Sequence, residues 1–91
     1  MNYLEQAKQL GYIRQDIEDL PASFFESWDW KEVWSNGEHT IVLKYRDGMS
    51  TFKCSVIKDG SVYYQGNSNN DPWMNSVEDA EAKLLKAMKE A

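Results

Sequence analysis

The sequence holds a single cysteine, Cys54, and a single histidine, His39. One cysteine excludes an intrachain disulfide and fits a reducing compartment. One histidine leaves a metal site or a nucleophilic triad short of partners. Cys54 also stands in an apolar, strand-like stretch, the setting of an inert thiol rather than a nucleophile. No apolar run approaches the length of a membrane span, and the first ten residues carry Glu5 without a signal-like apolar core. These absences predict a cytoplasmic protein, in a bacterium or in a host cell during phage infection. Solenoid repeats and low-complexity tracts are missing. Gly66 is a lone glycine before a loop, so there is no phosphate-cradling motif. The oxygen-rich run 67–71 lacks the ligand spacing of a calcium loop. Neither Glu32 with Glu38 nor Asp16, Glu18 and Asp19 has a spacing that asks for paired acid–base chemistry. No cofactor, metal or catalytic residue is expected.

What is present is an ordinary globular balance: 91 residues, 42% apolar, 27% charged and 13% aromatic, with four Trp, five Tyr and three Phe. That length makes one domain, 1–91. Large rings let so short a chain bury much area with few residues. Fifteen acids against ten bases give a net charge of −5. The distribution is uneven. Residues 15–38 carry seven acids against Lys31 alone, whereas residues 39–66 carry Lys44, Arg46, Lys53 and Lys58 against Asp47 and Asp59.

Asn2, Glu5 and Gly11 mark the start and stop of a short first helix, with Tyr3, Leu4, Ala7 and Leu10 on one face. Ile17, Leu20, Phe24, Phe25 and Trp28 recur at three- and four-residue steps, which predicts more helix over 14–28, broken near Leu20 by Pro21. Asn36-Gly37, Asp47-Gly48 and Asp59-Gly60 then predict three two-residue hairpin turns. They separate strands over 38–46, 49–58 and 61–65, preceded by a strand over 30–35. Ser76 and Asp79 open a last helix, whose Val77, Ala80, Leu84 and Met88 form the inner stripe. Trp73 and Met74 are expected to pin the loop before it. The predicted fold is therefore α+β: a three- to four-stranded antiparallel meander, N-terminal helices, and a C-terminal helix packed on one face.

Tight turns fix which residues share a face. One face reads Trp30, Trp34, Ile41, Leu43, Tyr45, Phe52, Cys54, Val56 and Tyr63, the expected core side. Glu32 falls on it as a misfit and argues that the first strand lies at an edge or is not a strand. The opposite face collects Lys31, Lys44, Arg46, Lys53 and Tyr64, together with Val42, Ile57 and Val62.

Two surfaces follow. The acidic, ring-rich segment offers Asp16, Glu18, Asp19, Glu26, Asp29, Glu32 and Glu38 around Trp28 and Trp34, a set suited to a basic protein partner. The basic sheet face, with Lys31, Lys44, Arg46, Lys53 and Tyr64, suits phosphates and a stacked base, although the acidic total opposes nucleic-acid binding. A homodimer through Val42, Ile57, Val62 and Tyr64 is a third arrangement, and no membrane partner is expected. In size, charge and element order the whole chain is similar to small acidic proteins encoded by bacteriophages and mobile elements, some of which inhibit host defence nucleases. That resemblance implies a non-catalytic inhibitor of a nucleic-acid-handling enzyme, acting by charge mimicry.

Overall fold

Helix α1 (Tyr3–Gln9) starts where the Asn2 side chain accepts the Glu5 N–H at 2.9 Å. It stops at Gly11, whose φ of +91° few other residues adopt. The computed structural model describes residues 2–20, 28–48, 50–71 and 73–90, without the side chains of 17–19. Pro21, Phe24, Phe25 and Glu26 lie outside the described residues.

Five strands follow in chain order and pair as neighbours in that same order: β1 (Ile13–Asp19), β2 (Trp30–Ser35), β3 (Thr40–Asp47), β4 (Phe52–Lys58) and β5 (Ser61–Asn67). Every pairing is antiparallel. Helix α2 (Val77–Lys89) ends the chain and packs on β3, β4 and α1. The class is α+β, as expected, but the sheet has five strands rather than three or four.

The extra strand is β1, drawn from residues read as helix. Ile17 and Leu20 open the three- and four-residue steps that imitate a helical face. The segment is instead an irregular strand: Arg14 pairs with Trp34 and Ile17 with Glu32, so Gln15 and Asp16 together oppose Val33 in a bulge. An extra residue breaks the period of two, and the alternation that identifies a strand disappears from the sequence.

Only one hairpin has the expected two-residue turn. Asp59 (φ +51°) and Gly60 (φ +83°) both adopt positive φ, and Lys58 pairs with Ser61. The other two connections are longer. Ser35 pairs with Thr40, and Asn36 Oδ1 accepts the N–H groups of Glu38 and His39. Asp47 pairs with Phe52, and Gly48 donates to the Thr51 carbonyl. Both slips are even-numbered, so each strand still presents the expected residues to the core.

That core contains Trp34, Ile41, Leu43, Phe52, Cys54 and Val56 from the sheet, meeting Ala80, Leu84, Leu85, Ala87 and Met88 of α2 and Ala7 of α1. Burying each large aliphatic side chain contributes about 1.5–3 kcal/mol. The Cys54 thiol is pushed up to about 12 by burial, consistent with an inert packing residue. Met74 is buried and pins the approach to α2, but Trp73 is 80% exposed and does not. Ser76 caps α2 by accepting the Asp79 N–H, and Asp79 accepts the Asn75 N–H in return.

Glu32 is the principal correction on this face. It is 2% exposed, on an interior strand, and accepts three hydrogen bonds. Tyr3 Oη donates at 3.0 Å, Trp30 Nε1 at 2.9 Å and Trp34 Nε1 at 2.9 Å. A buried carboxylate is tolerable only when so partnered. The misfit is thus a polar lock between α1 and β2. Burial and the Glu32 charge together push the Tyr3 hydroxyl pKa upward, and burial followed by the Glu32 charge raises that of Glu81.

Candidate functional site

Both helices lie on the core side, so the alternate residues of the same strands form a second face that no helix among the described residues covers. Its side chains come in transverse rows. Val33, Val42, Ile57 and Val62 are successive register partners across β2 to β5. The next row runs Glu18, Lys31, Lys44, Ser55 and Gln65, and the third runs Arg46, Lys53 and Asn67. The face is therefore apolar at one end and basic at the other.

The basic end contains two like-charge pairs directly opposite one another, Lys31 with Lys44 and Arg46 with Lys53. Such a pair destabilises a sheet by roughly 0.2–1 kcal/mol. Cations on edge strands are common protection against unwanted pairing. That explanation does not apply here, because β2, β3 and β4 are all interior strands. Trp28 joins this group: the Lys44 ammonium sits 5.2 Å from its ring centroid, a cation–π contact. At the sheet end, Arg46 and Lys53 line a recess of about 380 Å³ with Ser50, Thr51, Asn67 and Asn69. Among the described residues that line it there is no carboxylate.

Of the five basic-face candidates, Lys31, Lys44, Arg46 and Lys53 are brought together and Tyr64 is not. A register shift between Val56 and Ile57 places Tyr64 opposite Val56, on the core face. There it packs against the core, its hydroxyl donates to Asp71, and Lys83 stands 4.5 Å over its ring. Burial first, then the Asp71 hydrogen bond, raise the Tyr64 pKa. The bulge re-aims the ring away from the open face, and away from the homodimer surface as well.

The acidic-aromatic set is dispersed. Glu32 and Trp34 are interior. Trp28 belongs with the basic residues. Asp29 accepts the Asp47 N–H at 3.0 Å where β2 begins, while Glu38 is exposed in the β2–β3 connection at the other end. Asp16 is exposed at the β1 bulge. Glu18 is the register partner of Lys31 and Asp19 that of Trp30; Glu26 lies outside the described residues. The remaining acids of α2, Glu78, Asp79 and Glu81, belong to the helical layer across the sheet from the cations.

Sequence reasoning missed the recess residues Ser50, Thr51, Asn67 and Asn69: the first two belong to a four-residue β3–β4 connection where a two-residue turn is expected, and the last two arrive through the pairing of β5 with β4. It also missed a groove of about 580 Å³ between α1 and β1, lined by Leu4, Lys8, Tyr12, Ile13, Arg14 and Trp34. Ile13 is 69% exposed there, and Arg14 lies 5.8 Å from the Trp34 ring centroid. His39 Nδ1 and Asp59 Oδ2 are 2.7 Å apart and join the two hairpin ends, a structural contact rather than part of either surface. No helix of the described residues is long and apolar enough to cross a membrane, and no group of three potential metal ligands occurs among them. No family model matches the chain, and neither a curated protein nor a solved structure is similar to it.

Proposed function

We propose that this chain is a small non-catalytic binding protein whose contact surface is the open sheet face, and that its partner is a single-stranded nucleic acid. The observation that carries this reading is the pair of opposed like-charge contacts, Lys31 with Lys44 and Arg46 with Lys53, on interior strands of a sheet face that no helix among the described residues covers. Glu18 opposite Lys31 and the Trp28 ring beside Lys44 offset part of that repulsion, and a polyanion laid along the row relieves more of it. Adjacent rows lie about 7 Å apart along the strands, comparable to the step between phosphates of an extended strand. Trp28 offers a ring beside them for stacking.

Fluorescence anisotropy of a labelled oligothymidine at low and moderate salt tests the reading. Binding should weaken as salt rises, with a logarithmic slope reduced by about 0.7 for each cation removed, so Lys31→Gln and Lys44→Gln together should flatten it visibly. Absence of binding at low salt rejects the proposal.

The protein-partner form of the same class, an acidic inhibitor of a nucleic-acid-handling enzyme, rests on the exposure of Asp16 and Glu38. Under that form, Asp16→Lys with Glu38→Lys abolishes capture of a basic enzyme and the open-face variants leave it unchanged.

A further inference from the structure

The recess at the basic end of the sheet differs in kind from the rest of the open face. Its walls come from two turns at the same end: Ser50 and Thr51 from the β3–β4 connection, and Asn67 with Asn69 from the end of β5. The Arg46–Lys53 pair also lines it. The Asn67 carbonyl oxygen is already taken, accepting the N–H groups of Asn69 and Asn70. The side chain's remaining polar group is its NH₂, a donor. Guanidinium, ammonium, two hydroxyls and two amides therefore surround a space of about 380 Å³ with no carboxylate on its described lining. That volume falls in the range of small-ligand sites, roughly 300–1,000 Å³.

We infer that this recess anchors the terminal phosphate of the bound strand, an inference that rests on the open-face reading above. Three features of the recess select a chain end. A phosphomonoester carries a charge of about −1.5 to −2 at neutral pH, against a single charge on each internal diester. Two cations opposite one another match the former. Arg46 presents a planar fork suited to bidentate contact with two phosphate oxygens. The recess also lies at the end of the row of cations, beside the β3–β4 connection and the end of β5, where a bound strand would terminate or leave the sheet.

The test is displacement of a labelled oligothymidine by three unlabelled competitors of equal length, one with a 5′-phosphate, one with a 3′-phosphate and one with hydroxyls at both ends. One phosphorylated competitor should displace the label about tenfold better than the unphosphorylated strand, the value of one charge-assisted contact. Arg46→Gln should remove that advantage. Asn69→Ala, on the exposed turn and outside the sheet, should reduce it without disturbing the fold. Lys31→Gln should weaken all three competitors alike and preserve the advantage. Equal displacement by all three on the unsubstituted protein overturns the anchor while leaving the open-face reading in place. An advantage that survives Arg46→Gln overturns the assignment to this recess. A labelled strand that does not bind at all overturns both readings together.

Discussion

The two faces of the sheet are made by alternate residues of the same strands, and they solve opposite problems. On the covered face, the buried carboxylate of Glu32 is matched by three donors, and the neighbouring positions are filled by Trp34, Ile41, Leu43, Cys54 and Val56. On the open face, cations oppose cations and an apolar row ends in Val62, 60% exposed. One face is arranged to stabilise the fold. The other holds charge together at a cost in stability.

The largest effect expected of this comparison is between adjacent residues. Leu43→Ala should destabilise by about 2–5 kcal/mol, as truncation of a fully buried side chain does. Val42→Ala, one residue away on the open face, should cost under about 1 kcal/mol, the span of strand preferences. Urea denaturation of the two variants measures the difference, and equal losses would break the distinction between the faces.

Next in size is the polar lock. Glu32→Gln keeps the shape but turns one acceptor into a donor facing indole or phenol donors. It should cost about 1–3 kcal/mol, read from the same denaturation curves. A neutral result would mean that Tyr3, Trp30 and Trp34 find other acceptors.

A smaller effect has the opposite sign. Arg46→Thr relieves the contact with Lys53 and places a β-branched residue in a strand. Stability should rise by roughly 0.2–1 kcal/mol at low salt, while binding to an anionic strand falls. Raising the ionic strength should shrink the stability gain by screening. A loss of stability at low salt would show that the arginine stem packs in a way that outweighs the repulsion.

The smallest expected effect concerns acid. The hydrogen bond from His39 to Asp59, followed by the Thr40 N–H, holds the Asp59 carboxyl below its usual value of 3.8. The Tyr64 hydrogen bond does the same for Asp71. A group whose folded pKa is lowered contributes stability above its unfolded pKa and loses that contribution as pH falls through the folded value. Stability should therefore decline below about pH 4, and Asp59→Asn should make the decline shallower. Thermal melts from pH 5 to pH 2.5 would show it, and an unaltered slope would assign the decline to other carboxylates.

Much of the fold was legible because strand faces depend on parity. The turns at Asn36-Gly37 and Asp47-Gly48 proved longer than two residues, yet the slips were even and Leu43, Phe52 and Val56 still point to the core. Capping chemistry likewise located both ends of α1 and the start of α2. Bulges defeated the same logic. An extra residue at Gln15–Asp16 hid β1 behind a helical spacing, and another irregularity beside Val56 turned Tyr64 from the open face to the core. Glu32 was visible as a misfit, and the indole donors two residues to either side were the signal that it had partners. The basic patch was legible as four residues. The recess beside it was not, because Asn67 and Asn69 reach Arg46 and Lys53 only through the pairing of β5 with β4.

By itself the sequence determined the α+β class, both ends of α1, the start of α2 and the set of residues buried on strands β3 and β4, since these follow from local capping and from a period of two. Tertiary structure alone decided that β2 is interior, that Glu32 is matched rather than misplaced, and that the cations stand in opposed pairs, one of them lining a recess. Those outcomes depend on where one strand stops relative to its neighbour, which is settled by bulges and loop lengths that the chain encodes only through the packing they permit.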